Sequence, residues 1–246
     1  MKTFLKFILF IFLIPQVVYG EVNKLQMDGR VRYFSTLVDD LGTRYDDTRP
    51  GPVLDLNFTY PINDNLSIKN FNNIINYEDT TSGDETMNIE INQRLGLLYK
   101  RGATLFYPYG KMVWHDKNPA KQVDNSHLGL AIQQYFSKDV YVVLDYREEL
   151  SNGALLAGVR HSENVFESQF HKKNLFQIIN YPVHLKLAYA KSPNLRKVST
   201  IKFDMDITKR LEFSIKYVDN KGIGPISPGI DTQNQNFLVA NIGYKF

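Results

Sequence analysis

The sequence predicts an all-β fold: a transmembrane antiparallel up-and-down β-barrel of about 12 strands, with 10 or 14 strands as the alternatives. Three features predict it, namely a secretory leader, repeated strands with one apolar and one polar face, and a last strand that ends on phenylalanine. Strands that cross a lipid bilayer have to close into a barrel, because an open sheet would leave unpaired backbone groups in hydrocarbon.

Residues 1–20 form the predicted leader. They begin with two lysines, continue with an apolar run from Phe7 to Ile14 and end on Gly20. The run is shorter than the roughly 20 apolar residues of a transmembrane helix. We therefore expect a cleaved signal peptide and a single barrel domain at 21–246, with a retained N-terminal anchor as the alternative.

Composition excludes several function classes. The chain has no cysteine, so disulfides, thiol nucleophiles and Cys-ligated metals are unavailable. Its formal charge of +3 becomes +1 when Lys2 and Lys6 leave with the leader, which is not a nucleic-acid-binding signature. The five histidines have no metal-ligand spacing, and no phosphate loop or nucleophile elbow is present. We expect no cofactor, no metal and no enzyme activity.

Alternation with period two recurs along the chain. In 87–100 the polar residues Asn88, Glu90, Asn92 and Arg94 share one face, and apolar residues occupy the other. Stretches 53–60, 139–149, 201–206 and 210–217 repeat the pattern. One face of each strand therefore suits lipid and the other suits water.

The connections between these strands alternate in length. Short connections are predicted at 63–65, 101–102, 137–139 and 207–209, and long ones at 39–51, 79–85, 116–125, 191–196 and 220–235. Outer-membrane barrels have short periplasmic turns and longer external loops, so we expect the first set in the periplasm. Stretch 151–174 holds either one hairpin more or a long outer loop, which leaves the strand number open.

The C-terminal strand ends on an aromatic residue. The apolar residues on one face of this strand are Leu238, Ala240, Ile242, Tyr244 and Phe246. This arrangement resembles the terminal signal that the outer-membrane insertion machinery reads, which makes that machinery an expected partner. An amphipathic strand of a soluble sheet is the alternative.

The selectivity of a channel depends on the side chains that line its lumen. The predicted lumen-facing basic residues are Arg30, Arg32, Arg94, Lys111, Arg147, Arg160, Lys186, Lys202 and Lys216. The predicted acidic ones are Asp55, Glu90, Asp145, Glu149, Asp204 and Glu212. Arginine suits carboxylates because its planar fork makes two parallel hydrogen bonds. The alternative is that these charges pair with one another across the wall.

Four tyrosines occupy positions that the alternation predicts to face the lumen: Tyr107, Tyr109, Tyr135 and Tyr141. They are interpreted either as stacking surfaces for sugar rings or as part of an aromatic girdle at the membrane interface.

Residues 108–114, Pro-Tyr-Gly-Lys-Met-Val-Trp, carry a family resemblance. They resemble a Pro-Tyr-x-Lys-x-x-Trp stretch of the small monomeric porins for acidic sugars, the oligogalacturonate and sialic-acid channel family. The resemblance implies 12 strands, a pore lined by arginine and lysine, an anionic sugar as solute, and Lys111 and Arg147 as pore residues. An additional strand-like segment, 126–136, departs from that pattern.

The sequence as a whole predicts a channel in the outer membrane of a Gram-negative bacterium, surrounded by lipid and lipopolysaccharide. We expect passive diffusion of small hydrophilic solutes, with a preference for anionic sugars or oligosaccharides. A lipid hydrolase using His161 and Ser162 is one alternative, although neighbouring residues of a strand point to opposite faces. A plugged structural or adhesive barrel is the other.

Overall fold

The computed structural model describes residues 25–35, 48–79, 86–115, 125–151, 161–192, 196–222 and 235–246. These residues form β1 (Gln26–Phe34), β2 (Thr48–Asn63), β3 (Leu66–Asp79), β4 (Thr86–Arg101), β5 (Thr104–His115), β6 (Asn125–Tyr135), β7 (Val140–Ser151), β8 (His161–Ile178), β9 (Tyr181–Ser192), β10 (Arg196–Asp206), β11 (Leu211–Gly222) and β12 (Gln235–Lys245). Within these ranges no helix is long and apolar enough to cross a membrane.

Each strand pairs antiparallel with the next one in the chain, and β12 pairs with β1 to close the barrel. At the closure the backbone N–H of Phe246 donates to the carbonyl oxygen of Gly29 at 3.0 Å. Closure leaves the sheet without an unpaired edge strand. The predicted 12-stranded up-and-down barrel is confirmed, and the strand-like segment at 126–136 is β6.

The two faces of the strands differ as predicted. On β4, Leu95 is 48% exposed on the outer side, whereas Glu90 is 4% exposed on the lumen side. On β12 the apolar residues predicted to face lipid are also on the outside, with Leu238 62% exposed. Directly opposite residues of neighbouring strands share a face, so the register extends this assignment around the barrel. The exterior is therefore apolar, which is the kind of surface that transmembrane barrels present to lipid.

The short turns lie together at one end of the barrel, and side chains stabilise several of them. The side chain of Asn63 accepts the N–H of Asn65 at 2.9 Å. The hydroxyls of Ser137 and Thr208 each accept two backbone N–H groups of their own turn. Gly102 has a φ of +59°, which glycine adopts without a steric penalty. The four predicted tight connections are confirmed.

The uncertain stretch 151–174 belongs mostly to β8. Ser151 ends β7, the described residues 161–174 contain no further hairpin, and residues 152–160 lie outside the described ranges. Instead β8 continues to a tight turn at Ile179 and Asn180, where φ is +51° and +71°. This turn was not predicted, because a β-branched apolar residue such as Ile179 rarely adopts positive φ.

Candidate functional site in the barrel lumen

The structure describes eight of the nine predicted basic lumen residues. The strand register places all eight side chains on the lumen face of the sheet. Arg160 lies outside the described ranges. The eight residues fall into three groups on different parts of the wall, which we call the closure cluster, the central cluster and the lysine row.

The closure cluster joins β11, β12, β1 and β2 through Arg30, Arg32, Asp55, Glu212 and Lys245. Arg30 binds Asp55 at 2.9 Å and Glu212 at 2.8 Å. Asp55 is 1% exposed and also accepts the Nη2 of Arg32 at 2.7 Å. Lys245 binds the second oxygen of Glu212 at 3.1 Å. Carboxylates therefore neutralise both arginines, and the ion pairs connect the two ends of the sheet.

A glycine makes this connection possible. Glu212 is on β11 and Arg30 is on β1, so the side chain of Glu212 has to cross β12. It crosses at Gly243, which lies directly opposite Glu212, and a Cβ at Gly243 would lie 2.7 Å from Oε1 of Glu212. The missing side chain provides the space for the crossing.

The central cluster lies on β4 to β7 around Tyr109. The hydroxyl of Tyr109 donates to the carboxylate of Asp145, with its oxygen 2.8 and 2.9 Å from the two carboxylate oxygens. The guanidinium carbon of Arg94 lies 4.3 Å from the centre of the Tyr109 ring, within the range of a cation–π interaction. Tyr109 and Asp145 are buried, and Lys111 lies directly opposite Arg94 on the next strand.

Glycines flank Tyr109 on both neighbouring strands. Gly96 on β4 and Gly129 on β6 lie directly opposite it on the lumen face. A Cβ at Gly129 would lie 2.6 Å from Cζ of Tyr109, and one at Gly96 would lie 2.8 Å from Cβ of Tyr109. Tyr109 therefore lies along the wall and crosses β6 to reach Asp145 on β7.

Arg147, the next residue in this lateral row, is neutralised. It lies directly opposite Gly129, is 2% exposed, and binds Glu149 at 2.7 Å and Glu167 at 3.1 Å. Of the two residues implicated by the family resemblance, Arg147 thus lies in an ion-pair network of the wall, and Lys111 lies beside Arg94.

The lysine row contains Lys186, Lys202 and Lys216, which lie directly opposite one another on β9, β10 and β11. Like charges at directly opposite positions repel, and Lys202 also binds Asp204 at 2.5 Å. The row continues laterally to His171, whose ring stacks on Tyr141 at 4.3 Å. The arrangement places positive charge beside an aromatic surface.

All four predicted tyrosines face the lumen, so the alternative of an interface girdle does not apply to them. Tyr107 and Tyr109 stack at 5.4 Å, and Tyr135 and Tyr141 make a tilted contact at 5.2 Å. The lumen-facing glycines on which the clusters depend were not predicted from the sequence. They could have been found as glycines at lumen-facing positions inside a strand, because a glycine there marks a close approach of other atoms.

No protein-family model and no curated protein sequence matches this chain. Solved structures do match. A structure described as the NanC porin matches with a TM-score of 0.52 at 12% identity, covering 90% of this chain and 99% of that one. An outer membrane channel from Pseudomonas putida F1 gives 0.54 at 9% identity, covering 89% and 94%. The KdgM porin gives 0.50 at 10% identity, covering 89% and 98%. The chain shares its barrel fold with these porins and channels.

Proposed function

We propose that this protein is an outer-membrane channel through which small hydrophilic solutes diffuse passively. The observation that supports the proposal is the contrast between the two sides of the wall. Apolar side chains cover the exterior, whereas charged and polar side chains such as Asp55, Lys111 and Arg147 face the lumen. A lumen lined in this way suits hydrated solutes, and the structural neighbours include proteins described as porins and an outer membrane channel.

The proposal includes a preference for anionic solutes, with acidic sugars or oligosaccharides as the class. It is supported by the lysine row and by Arg94, which add positive charge on two parts of the lumen wall. Stacked rings beside the lysine row, Tyr141 and His171, offer an apolar surface of the kind that packs against a sugar ring.

Export and assembly complete the proposal. We expect residues 1–20 to be removed as a signal peptide and the insertion machinery to read the strand that ends at Phe246. Lipid and lipopolysaccharide would then surround the apolar exterior. Edman sequencing of the protein from outer membranes tests the cleavage, because a mature N-terminus at position 21 is the expected result.

Single-channel recording tests the proposed function directly. Refolded protein in a planar bilayer is expected to give stable conductance steps, and its reversal potential in a KCl gradient is expected to show anion preference. Liposome swelling with an acidic sugar and a neutral sugar of similar size tests the solute class. The matched control is the same protein heated in detergent until it unfolds.

Absence of both conductance and swelling would overturn the channel and favour a plugged structural or adhesive barrel. Conductance with cation preference would overturn only the anionic solute class. Lipid turnover that disappears in Ser162→Ala would favour the hydrolase.

A further inference from the structure

We propose that Tyr109 is a positioning residue that keeps the Arg94 guanidinium in the lumen as an unneutralised charge, and that this charge contributes to the anion preference of the pore. This inference rests on the proposed channel function. It distinguishes Arg94 from the other described arginines of the lumen wall.

The arginines of the lumen differ in their partners. Arg30, Arg32 and Arg147 each bind at least one carboxylate. Among the residues that the structure describes, Arg94 makes no such ion pair, and its guanidinium rests on the ring of Tyr109. A ring face attracts a cation without cancelling its charge, so Arg94 keeps a full positive charge towards the lumen.

A carboxylate is nevertheless close to Arg94. Asp145 accepts the hydroxyl of the same tyrosine whose ring lies under Arg94, so the two charged groups contact one side chain. The hydroxyl of Tyr109 lies within 2.9 Å of both oxygens of Asp145, and the Tyr109 ring lies under the guanidinium. Tyr109 therefore occupies the carboxylate that would otherwise pair with Arg94.

The wall holds Tyr109 in this position. Its neighbours in the lateral row are Gly96 and Gly129, and both approach it so closely that a Cβ would collide with it. The hydrogen bond to Asp145 secures the far end of the side chain. Two glycines and one carboxylate thus fix the ring on which Arg94 rests.

The reversal potential in a KCl gradient measures the effect, with Arg94→Gln as the first variant. A unit charge about 7 Å from an ion in water changes the energy of an anion and of a cation by about RT in opposite directions, which corresponds to roughly a sevenfold change in the anion-to-cation permeability ratio. We expect a fall of about that size. Arg210→Gln is the matched control, because Arg210 is exposed in a tight turn and bonds Tyr244, and we expect no change there.

The positioning role is tested by Tyr109→Leu, which leaves the net charge unchanged. Without the ring and the hydroxyl, Arg94 is expected to pair with Asp145, and the permeability ratio is expected to fall, by less than in Arg94→Gln because the net charge is kept. Asp145→Asn should then restore the ratio in the Tyr109→Leu background, and its effect should be larger there than in the unaltered barrel. This coupling distinguishes positioning from a general loss of structure.

Tyr109→Phe makes the same test if the leucine variant does not fold. It retains the packed ring and frees Asp145, so we expect a smaller fall in the permeability ratio that Asp145→Asn again reverses. An unchanged ratio in both Tyr109 variants would overturn the positioning role, and an unchanged ratio in Arg94→Gln would overturn the role of Arg94. Absence of channels in the unaltered protein would overturn the proposed function instead.

Discussion

Gly96→Ala is expected to destabilise the barrel, whereas Gly110→Ala is not. Gly96 is on the lumen face of β4, where an added Cβ would lie 2.3 Å from the carbonyl oxygen of Pro108 and 2.7 Å from Cε2 of Tyr107. Gly110 is on the adjacent strand, and the nearest atom to its Cβ would be 4.0 Å away. The two variants thus add the same methyl group, which collides with neighbouring atoms at Gly96 and fits at Gly110.

The magnitude follows from which atoms collide. Overpacking costs about 1–3 kcal/mol, and side-chain rotation relieves part of that cost where the obstacle is flexible. At Gly96 the closest obstacle is a backbone oxygen, so we expect a loss of about 3 kcal/mol, at the upper end of that range. At Gly110 the added methyl group fits, and the lower entropy of the unfolded chain is expected to stabilise the barrel by about 0.5 kcal/mol.

Equilibrium unfolding in urea, with the barrel refolded in lipid vesicles, measures this difference. The chain has one tryptophan, Trp114 on β5, so its fluorescence reports unfolding without a label. The midpoint of the unfolding curve and the dependence of the free energy of unfolding on urea concentration together separate a change in stability from a change in the unfolded state. Free energies of unfolding that agree within about 0.5 kcal/mol, the usual scatter of neutral substitutions, would refute the close approach at Gly96.

Two further predictions concern barrel closure. Asp55→Asn leaves two arginines without their shared carboxylate, so the free energy of unfolding should fall by about 3 kcal/mol in the same urea assay. Asp28→Asn, at an exposed position, should change it by less than about 0.5 kcal/mol, and equal losses would contradict the reasoning. Gly29→Val would place a Cβ 2.4 Å from Cε2 of Phe246, so the folded form should be lost at a lower temperature on SDS gels. An unchanged temperature would show that the terminal ring does not need this space.

Most of the architecture was predictable because its signals are local. Side chains alternate with a period of two along a strand, so the pattern around Glu90 and Leu95 determines which face each residue occupies. The tight connections at Asn63, Ser137 and Thr208 contain the residues that stabilise turns. The turn at Ile179 was missed because its residue type predicts the opposite backbone conformation.

The barrel class, a strand number of about 12 and the lumen-facing side of the described basic residues were predictable from the sequence alone, since these depend on periodicity along the chain. Which of these charges form ion pairs depends on the folded barrel. Arg30 and Glu212 are 182 residues apart and meet because the barrel closes, whereas Arg94 meets a tyrosine ring where other arginines meet carboxylates. Both arrangements depend on glycines that let a side chain cross a neighbouring strand. The glycine and the crossing side chain come together only when the strands pair in this register.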